Sequence, residues 1–549
     1  MMYWTIFVVV TLSVEQSAVA TDSISSITRS AVRFFSGTML SRITGMLRDI
    51  VLAFCFGTHE ALAAFFVAYR LAQLCRKLFG EGALQSAFIP VFEEMRKEEP
   101  VKAFTFFRDL TVLLTLFLIG FIAVGMVGAA STFSFINWSA GNTQIVNLSI
   151  ILLPSLLFIC LFGINSSLLQ CQKHYFTVGI APACFNTVLI IGSLFLHGWN
   201  PNEAMPYVAV LTVLGCCMQW AATCIPTLRS LRAHLGKNLL SNVQIYSKEI
   251  RRLGAPLMLG LLGVGATQIN NGIDALFARW ADPEGPAQLW YSQRLLQLPL
   301  ALFGIAISGA LLPPLSRSIQ AGRKDEYLRF LDFALRRVFA LLFPCTLALM
   351  VLGTPLINCI FGRGDFQLHS ILTTTGCLHT YAIGLLPMGL IIVLGPAFYA
   401  YKDFKTPAKA AFLALVINFI VNCTFIFGLG FSALSVALAT SISSWLNVIY
   451  LYHALKKQFG DIVSRDGRYE MGKVVCIGFV VALVTVAFQG YFFQMPQLFQ
   501  LFIAESLPTS FFEQFSHMAL PGLFFVAITL VAAWICKAKD LLVLFRIRI

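Results

Sequence analysis

Long apolar runs constrain this chain more than any other feature. Stretches of about 20 residues or more, dominated by apolar side chains, recur along its length. They fall near 28–57, 60–94, 106–133, 146–171, 175–197, 205–230 and 250–280, then 286–316, 328–360, 368–401, 407–428, 431–455, 471–493 and 517–536. In lipid every backbone N–H and C=O must be satisfied within the segment, so continuous apolar runs of this length are helices. Only 12% of the residues are charged and the mean hydropathy is +0.79, whereas soluble domains carry about 25% charged residues. The expected fold is all-α: a polytopic membrane protein with fourteen transmembrane helices.

The loop charges test that count. A net charge of +13 would suit a nucleic-acid binder, but the lysines and arginines fall in short loops between apolar runs, which is a topology signal. With the N-terminus cytoplasmic, alternate loops hold the basic clusters, such as Arg96, Lys97 and Lys102, or Arg323, Lys324 and Arg329. Loops of the opposite side hold only Arg279 and Arg363. One miscounted helix would invert every later loop and erase this asymmetry, so fourteen spans with both termini cytoplasmic is the consistent reading. The fourteen cysteines are scattered through apolar runs without a CxxC motif and read as small apolar packers. Residues 1–27 read as an N-terminal extension. Their apolar run ends in Ala18-Val19-Ala20 but lacks the basic start of a signal peptide.

An internal repeat organises the spans. Tyr69 to Leu74, "YRLAQL", resembles Gln293 to Leu298, "QRLLQL". Pro90 follows Arg70 by twenty residues and Pro314 follows Arg294 by twenty. The copies lie in the second and eighth spans, which gives two parallel six-helix lobes: an N-lobe over 28–230 and a C-lobe over 250–457. A cytoplasmic linker, 231–249, joins them. It sits within the basic stretch Leu228 to Arg252, which reads as a helix lying on anionic lipid. Residues 458–549 hold the last two helices and a cytoplasmic C-terminus.

The charges inside the spans carry the functional signal. Arg42, Arg48 and Asp49 lie in the first, Arg70, Arg76 and Lys77 in the second, and Arg294 in the eighth. An arginine at the bilayer centre costs about 2.5–3.5 kcal/mol on insertion scales, so such residues face a bundle interior or a wet cavity. Arg42 and Asp49, seven apart, share a helix face, and Asp49 is placed to hold one arginine. Glu81 is placed to pair with Lys77 one turn back. Arg70 and Lys77 read as staples or snorkelling residues. The surplus of guanidinium over carboxylate points to an anionic substrate, phosphate or carboxylate above all. No GxxxxGK[ST] loop, GxSxG elbow or HExxH pair is present, and the chain reads as a transporter rather than an enzyme.

These residues also carry a resemblance. "SRITGMLRD", "AFFVAYRLAQLCRKLFGEGALQSAFIPVF", "LFGIAISGALLPPLSRS" and "PAFYAYKDFKTPAK" resemble the MurJ/MviN family of lipid II flippases, within the wider multidrug/oligosaccharidyl-lipid/polysaccharide exporter fold. The likeness runs from Ile27 through the twelfth span. It implies transport of lipid-linked peptidoglycan precursor to the outer leaflet of the bacterial cytoplasmic membrane, by alternating access around a cationic central cavity. It also implies substrate-binding roles for Arg42, Arg48, Arg76 and Arg294, and positioning or gating roles for Ser41, Asp49 and Glu81. The last two helices would form a groove for the polyprenyl tail. Ala63, Gln293 and Gln297 stand where family members often carry acids, which puts in doubt any coupling step that protonates those positions.

Some relatives bind sodium in the second lobe, and Asp274, Asn418, Asn422 and Thr440 stand where such a site could form, with Asn418 and Asn422 one helical turn apart. Helix-packing hydrogen bonds are the plainer reading of those four; no other cofactor is expected. Lipid II and membrane lipids are the implied partners, with cell-wall or division proteins beside them. Two other readings stand next to the flippase. One is an exporter of a drug or of another polyprenyl-diphosphate glycan. A drug-cation exporter, however, would line its cavity with acids. The other is a non-transporting scaffold.

Overall fold

The computed structural model describes residues 24–79, 83–135, 139–236, 239, 242–245, 247–493 and 507–542. The N-terminal extension up to residue 23 and Glu81 lie outside them, as does the side chain of Arg76. Among the described residues every regular element is a helix. The first group is α1 (Ile24–Phe56), α2 (Glu60–Phe79), α3 (Ala83–Glu98), α4 (Pro100–Phe135), α5 (Ala140–Leu152), α6 (Ser155–Cys171), α7 (Tyr175–Phe195), α8 (Pro201–Leu235) and α9 (Lys248–Arg252). Next come α10 (Gly254–Ala281), α11 (Gly285–Pro299), a π-helical segment (Leu300–Ile305) and α12 (Ala306–Gln320). The rest are α13 (Lys324–Phe361), α14 (Leu368–Ala400), α15 (Lys405–Cys423), a second π-helical segment (Thr424–Gly428), α16 (Leu434–Phe459), α17 (Arg465–Phe493), α18 (Phe511–Ile535) and α19 (Lys539–Leu542).

Nine of these helices are long and apolar enough to cross a membrane, or ten if α5 and α6, bent by 44°, count as one span. The number fourteen rests on the loop charges. Large apolar side chains such as Val124, Phe195 and Leu483 point outward, as a lipid-facing surface requires. Local chemistry sets the ends. Asn200 caps α8 by accepting from the Asn202 N–H at 3.0 Å, with Pro201 in the first turn, a position where its missing N–H costs nothing. Asp403 accepts from the N–H groups of Lys405 and Thr406, both at 3.0 Å, at the start of α15.

The chain divides into two compact units, Met1–Cys55 with Ala64–Gly272 and Phe56–Ala63 with Ile273–Ile549. The lobes expected from the repeat meet in the linker, whereas this division falls inside α10. The cause is visible in the first unit. Arg70 donates to the Asn271 carbonyl at 3.2 Å, and the Leu74 side chain lies against Gly272, so these residues of α10 stay with α2 in the first unit. The turn after α1 belongs to the second unit for an equally local reason. The Thr58 hydroxyl bonds the Glu284 carboxylate and, at 2.8 Å, Ser370.

The linker is not one helix on lipid. Its first residues extend α8 as far as Leu235, where Gly236 at φ 78° ends it. A five-residue helix, α9, resumes behind Ser247, whose hydroxyl accepts from the Ile250 N–H at 3.2 Å. Glycine tolerates the left-handed conformation at no steric cost, so it is a strong stop signal.

The first unit is built on an aromatic core. Phe88 and Phe92 stack at 5.2 Å, and Phe92 meets Phe104 edge-on at 5.5 Å. Ile164 and Leu168 from α6 close the cluster. In the second unit the last two long helices pack on α13 through Val474, Val481, Phe525 and Ala533. Gly478 makes this approach close, since a Cβ there would meet the Phe343 ring at 2.9 Å. Asp540 anchors the chain end by accepting from Arg336 Nε at 2.8 Å.

Candidate functional site

The charged part of α1 is organised by a close helix crossing. Gly37 of α1 and Gly179 of α7 touch through backbone, and a Cβ on Gly37 would lie 3.1 Å from the Gly179 carbonyl carbon. Two glycines remove the side chains that would hold the helices apart. That brings Asn186 of α7 within reach of the next turns of α1. Its amide Nδ2 donates to the Ser41 carbonyl at 3.2 Å and to Thr44 Oγ1 at 3.1 Å. Its Oδ1 accepts from Arg48 Nη1 at 3.2 Å.

Arg48 and Asp49 form one buried unit. Arg48 Nε and Nη2 donate to Asp49 Oδ1 at 3.1 and 2.7 Å, and the guanidinium lies 5.7 Å from the centre of the Phe185 ring. Arg48 is 6% exposed and Asp49 1%. Desolvating either charge alone would cost several kcal/mol, so the pair survives burial through its mutual contact and the added amide bond. Among the described residues the arginine that Asp49 holds is its chain neighbour rather than Arg42, two turns back. Arg42 is exposed on α1 and has no carboxylate partner among the described residues. Ser41, expected to position charge, contributes its backbone carbonyl.

On α2, Arg70 is 8% exposed and bonded to α10, the staple its sequence position suggests. Arg76 lies on the same helix, six residues on. In the second unit, Arg294 is half-buried on α11 and its guanidinium sits 4.6 Å from the Trp290 ring centre. The two residues are one helical turn apart, so the helix itself supplies this cation–π contact.

The four second-unit residues named by the resemblance come together. Asn422 Nδ2 donates to Asn418 Oδ1 at 2.9 Å and to Asp274 Oδ1 at 3.3 Å. Thr440 Oγ1 donates to Asp274 Oδ2 at 3.0 Å, and Asn418 Nδ2 to Thr440 Oγ1 at 3.3 Å. Asp274 is 2% exposed, and Asn418 and Asn422 are fully buried. The buried Asn422 Oδ1 lacks a hydrogen-bond partner among the described residues, and leaving such an atom unsatisfied costs about 1–3 kcal/mol. A carboxylate, two amides and a hydroxyl supply only oxygen to a ligand, the donor set of a hard cation. No cluster of three or more His, Cys, Asp or Glu suited to a transition metal exists among the described residues. The residues present thus fit sodium.

Sequence reasoning missed Asn186 and Thr44. A lone asparagine in the apolar α7 was the available signal, since an amide in a membrane helix needs a partner.

Comparison with known proteins agrees with this architecture. A family model for the lipid II flippase MurJ matches residues 52–505. The probable lipid II flippase MurJ of Chlamydia muridarum (strain MoPn / Nigg) is 33% identical over 528 residues, covering 95% of this chain and 96% of the relative. That of Vibrio cholerae serotype O1 is 31% identical over 464 residues, covering 81% and 86%. Among solved structures, a lipid II flippase MurJ in an inward closed conformation shares the fold at TM-score 0.73 and 23% identity, over 93% of this chain and 100% of that one. An inward-facing multidrug resistance MATE transporter of the MOP superfamily aligns at TM-score 0.58 and 13% identity, over 81% and 98%. A match this long to the family model, with a relative aligned almost end to end, settles the descent: the chain belongs to the lipid II flippase MurJ family, whose members are membrane transporters and not enzymes.

Proposed function

We propose that this chain moves lipid II from the inner to the outer leaflet of the bacterial cytoplasmic membrane by alternating access, with both termini cytoplasmic. Arg42, Arg76 and Arg294 bind the diphosphate and nearby acids of the substrate. Arg48 and Asp49 act as a joined pair that sets the face of α1 on which Arg42 stands, and Glu81 has a gating or positioning role. The observation that carries this reading is Arg42: an exposed guanidinium on a helix the sequence places in the bilayer, without a carboxylate partner among the described residues. Such a group is costly there unless an anion completes it. Helices α17 and α18 wall the path of the polyprenyl tail, which suits their outward apolar faces, Leu483 and Leu523 among them.

Sodium belongs to the same proposal. Asp274, Asn418, Asn422 and Thr440 would hold it, and the ion would supply a charge that neutralises Asp274 and couples the second unit to an ion gradient. The membrane potential bears on the cycle as well, since one charge moved through 100 mV is worth about 2.3 kcal/mol. The deciding experiment is complementation of a flippase-depleted strain with Arg42→Ala and Arg294→Ala, at membrane levels matched to wild type. Loss of growth with normal levels is expected; full growth would return the scaffold reading to first place.

A further inference from the structure

The two units carry clusters of similar composition. Asp49 precedes Arg70 by twenty-one residues and Asp274 precedes Arg294 by twenty, so the aspartates fall one residue off the register that pairs the arginines. Each aspartate lies on the first helix of its repeat, α1 or α10. Asp274 accepts from Asn422, which also bonds Asn418, both on α15, the fifth span of its repeat. Asp49 is joined to Asn186 on α7, the fifth span of the other repeat, through Arg48, which donates to both. Each cluster includes a threonine hydroxyl, Thr44 or Thr440. In the second unit these groups converge on one another and leave an amide oxygen unsatisfied. In the first, the Asp49 and Asn186 oxygens are turned onto a guanidinium, and the amide is held in that orientation by Ser41 and Thr44.

We propose that Arg48 is a built-in cation. Its guanidinium fills, in the first unit, the place that an exchangeable cation takes in the second. It is a positioning residue that locks α1 to α7, and it leaves ion exchange to act on the second unit alone. The comparison rests on the sodium reading of the Asp274 cluster, but the test below reads the first unit by itself.

The test uses the full-length protein purified in detergent and its thermal unfolding midpoint. Removing one partner of a buried, hydrogen-bonded charge pair is strongly destabilising, so Arg48→Ala is expected to lower the midpoint by several degrees. Low-millimolar guanidinium chloride should restore at least half of that loss, and choline chloride at equal concentration none. Wild type should not respond, and neither should the Arg48→Ala/Asp49→Asn double variant, which lacks the carboxylate that draws the cation. No rescue of Arg48→Ala, or equal rescue of the double variant, overturns the proposal. If Arg48→Ala fails to accumulate, Arg48→Lys is compared with Arg48→Gln. Accumulation of the lysine variant alone supports a charge requirement, and equal behaviour of the two overturns it. Asp274→Asn should abolish any sodium-dependent stabilisation yet leave the guanidinium rescue intact, so a failed sodium reading and a failed Arg48 reading give different results.

Discussion

The first unit contains the dipeptide Arg-Asp twice in buried form, and the two copies teach different things. Arg48–Asp49 lies on α1 and Arg108–Asp109 on α4. Both arginines use Nε and Nη2 on one oxygen of the next residue, at 3.1 and 2.7 Å for Arg48 and 2.8 and 2.7 Å for Arg108. Both aspartates are almost fully buried, at 1% and 3% exposure. The third contact separates them. Arg48 reaches a side chain of another long helix, Asn186 Oδ1, whereas Arg108 reaches a main-chain carbonyl of the linker, Asn242 O, at 3.0 Å. One clamp sets the crossing of two long helices; the other fastens a loop. The chain-neighbour ion pair is a local device, and its use depends on what the fold brings to its open side.

The largest effect that would break the comparison comes from the carboxylates. Asp49→Ala and Asp109→Ala each take the neighbouring carboxylate from a buried guanidinium, and each is expected to cost about 3–5 kcal/mol in unfolding measurements. Complementation at matched membrane levels should fail for Asp49→Ala and survive for Asp109→Ala. Equal failure would mean that the loop clamp also takes part in transport. A smaller effect comes from the α1–α7 crossing. Gly37→Ala forces a Cβ against the Gly179 backbone, and overpacking of this kind costs about 1–3 kcal/mol. That loss should be coupled to Asn186→Ala in a double-mutant cycle and additive with Asp109→Ala, because only the former shares the crossing.

The third contacts give a finer test. Asn186→Ala removes a side-chain acceptor from a buried guanidinium and should cost about 2 kcal/mol. Asn242 stands at φ 54° and lends only its carbonyl. Asn242→Gly should be near neutral there, and Asn242→Ala should cost about 1 kcal/mol through its left-handed backbone. If Asn242→Gly weakens the protein as much as Asn186→Ala, the loop clamp depends on that side chain after all.

The smallest effect concerns pH at the linker. Hydrogen bonding from its own backbone N–H, with the nearby Lys102 ammonium helping against desolvation, holds the Glu249 carboxyl below its ordinary range. Lys102 Nζ stands 3.6 Å from its carboxylate. A depressed carboxyl contributes stability above its unfolded value and loses it as pH falls through the folded one. Glu249→Gln should therefore cost no more than about 0.5 kcal/mol at neutral pH, as surface pairs do. The difference from wild type should vanish under acid, below the lowered value. A cost that persists there would assign the stabilisation to shape rather than charge.

Much of this was legible along the chain. Continuous apolar runs specify helices because the bilayer leaves the backbone no other partner. Arginines within those runs announced themselves as costly and therefore used. Family resemblance picked out Asp274, Asn418, Asn422 and Thr440, and the structure gathers all four. The linker was misread because a basic amphipathic stretch and a helix stopped at Gly236 look alike until the left-handed residue is seen.

What the sequence determined by itself is whatever depends on near neighbours: helix after helix, the stops and caps, and an aspartate beside an arginine. Tertiary structure decided the rest. It chose Arg48 over Arg42 as the partner of Asp49, set Asn186 across from it, and drew the division of the units through α10 instead of the linker. Those outcomes depend on which helix faces cross and how closely. A pair of glycines 142 positions apart, Gly37 and Gly179, governs one such crossing, and no local period in the sequence encodes it.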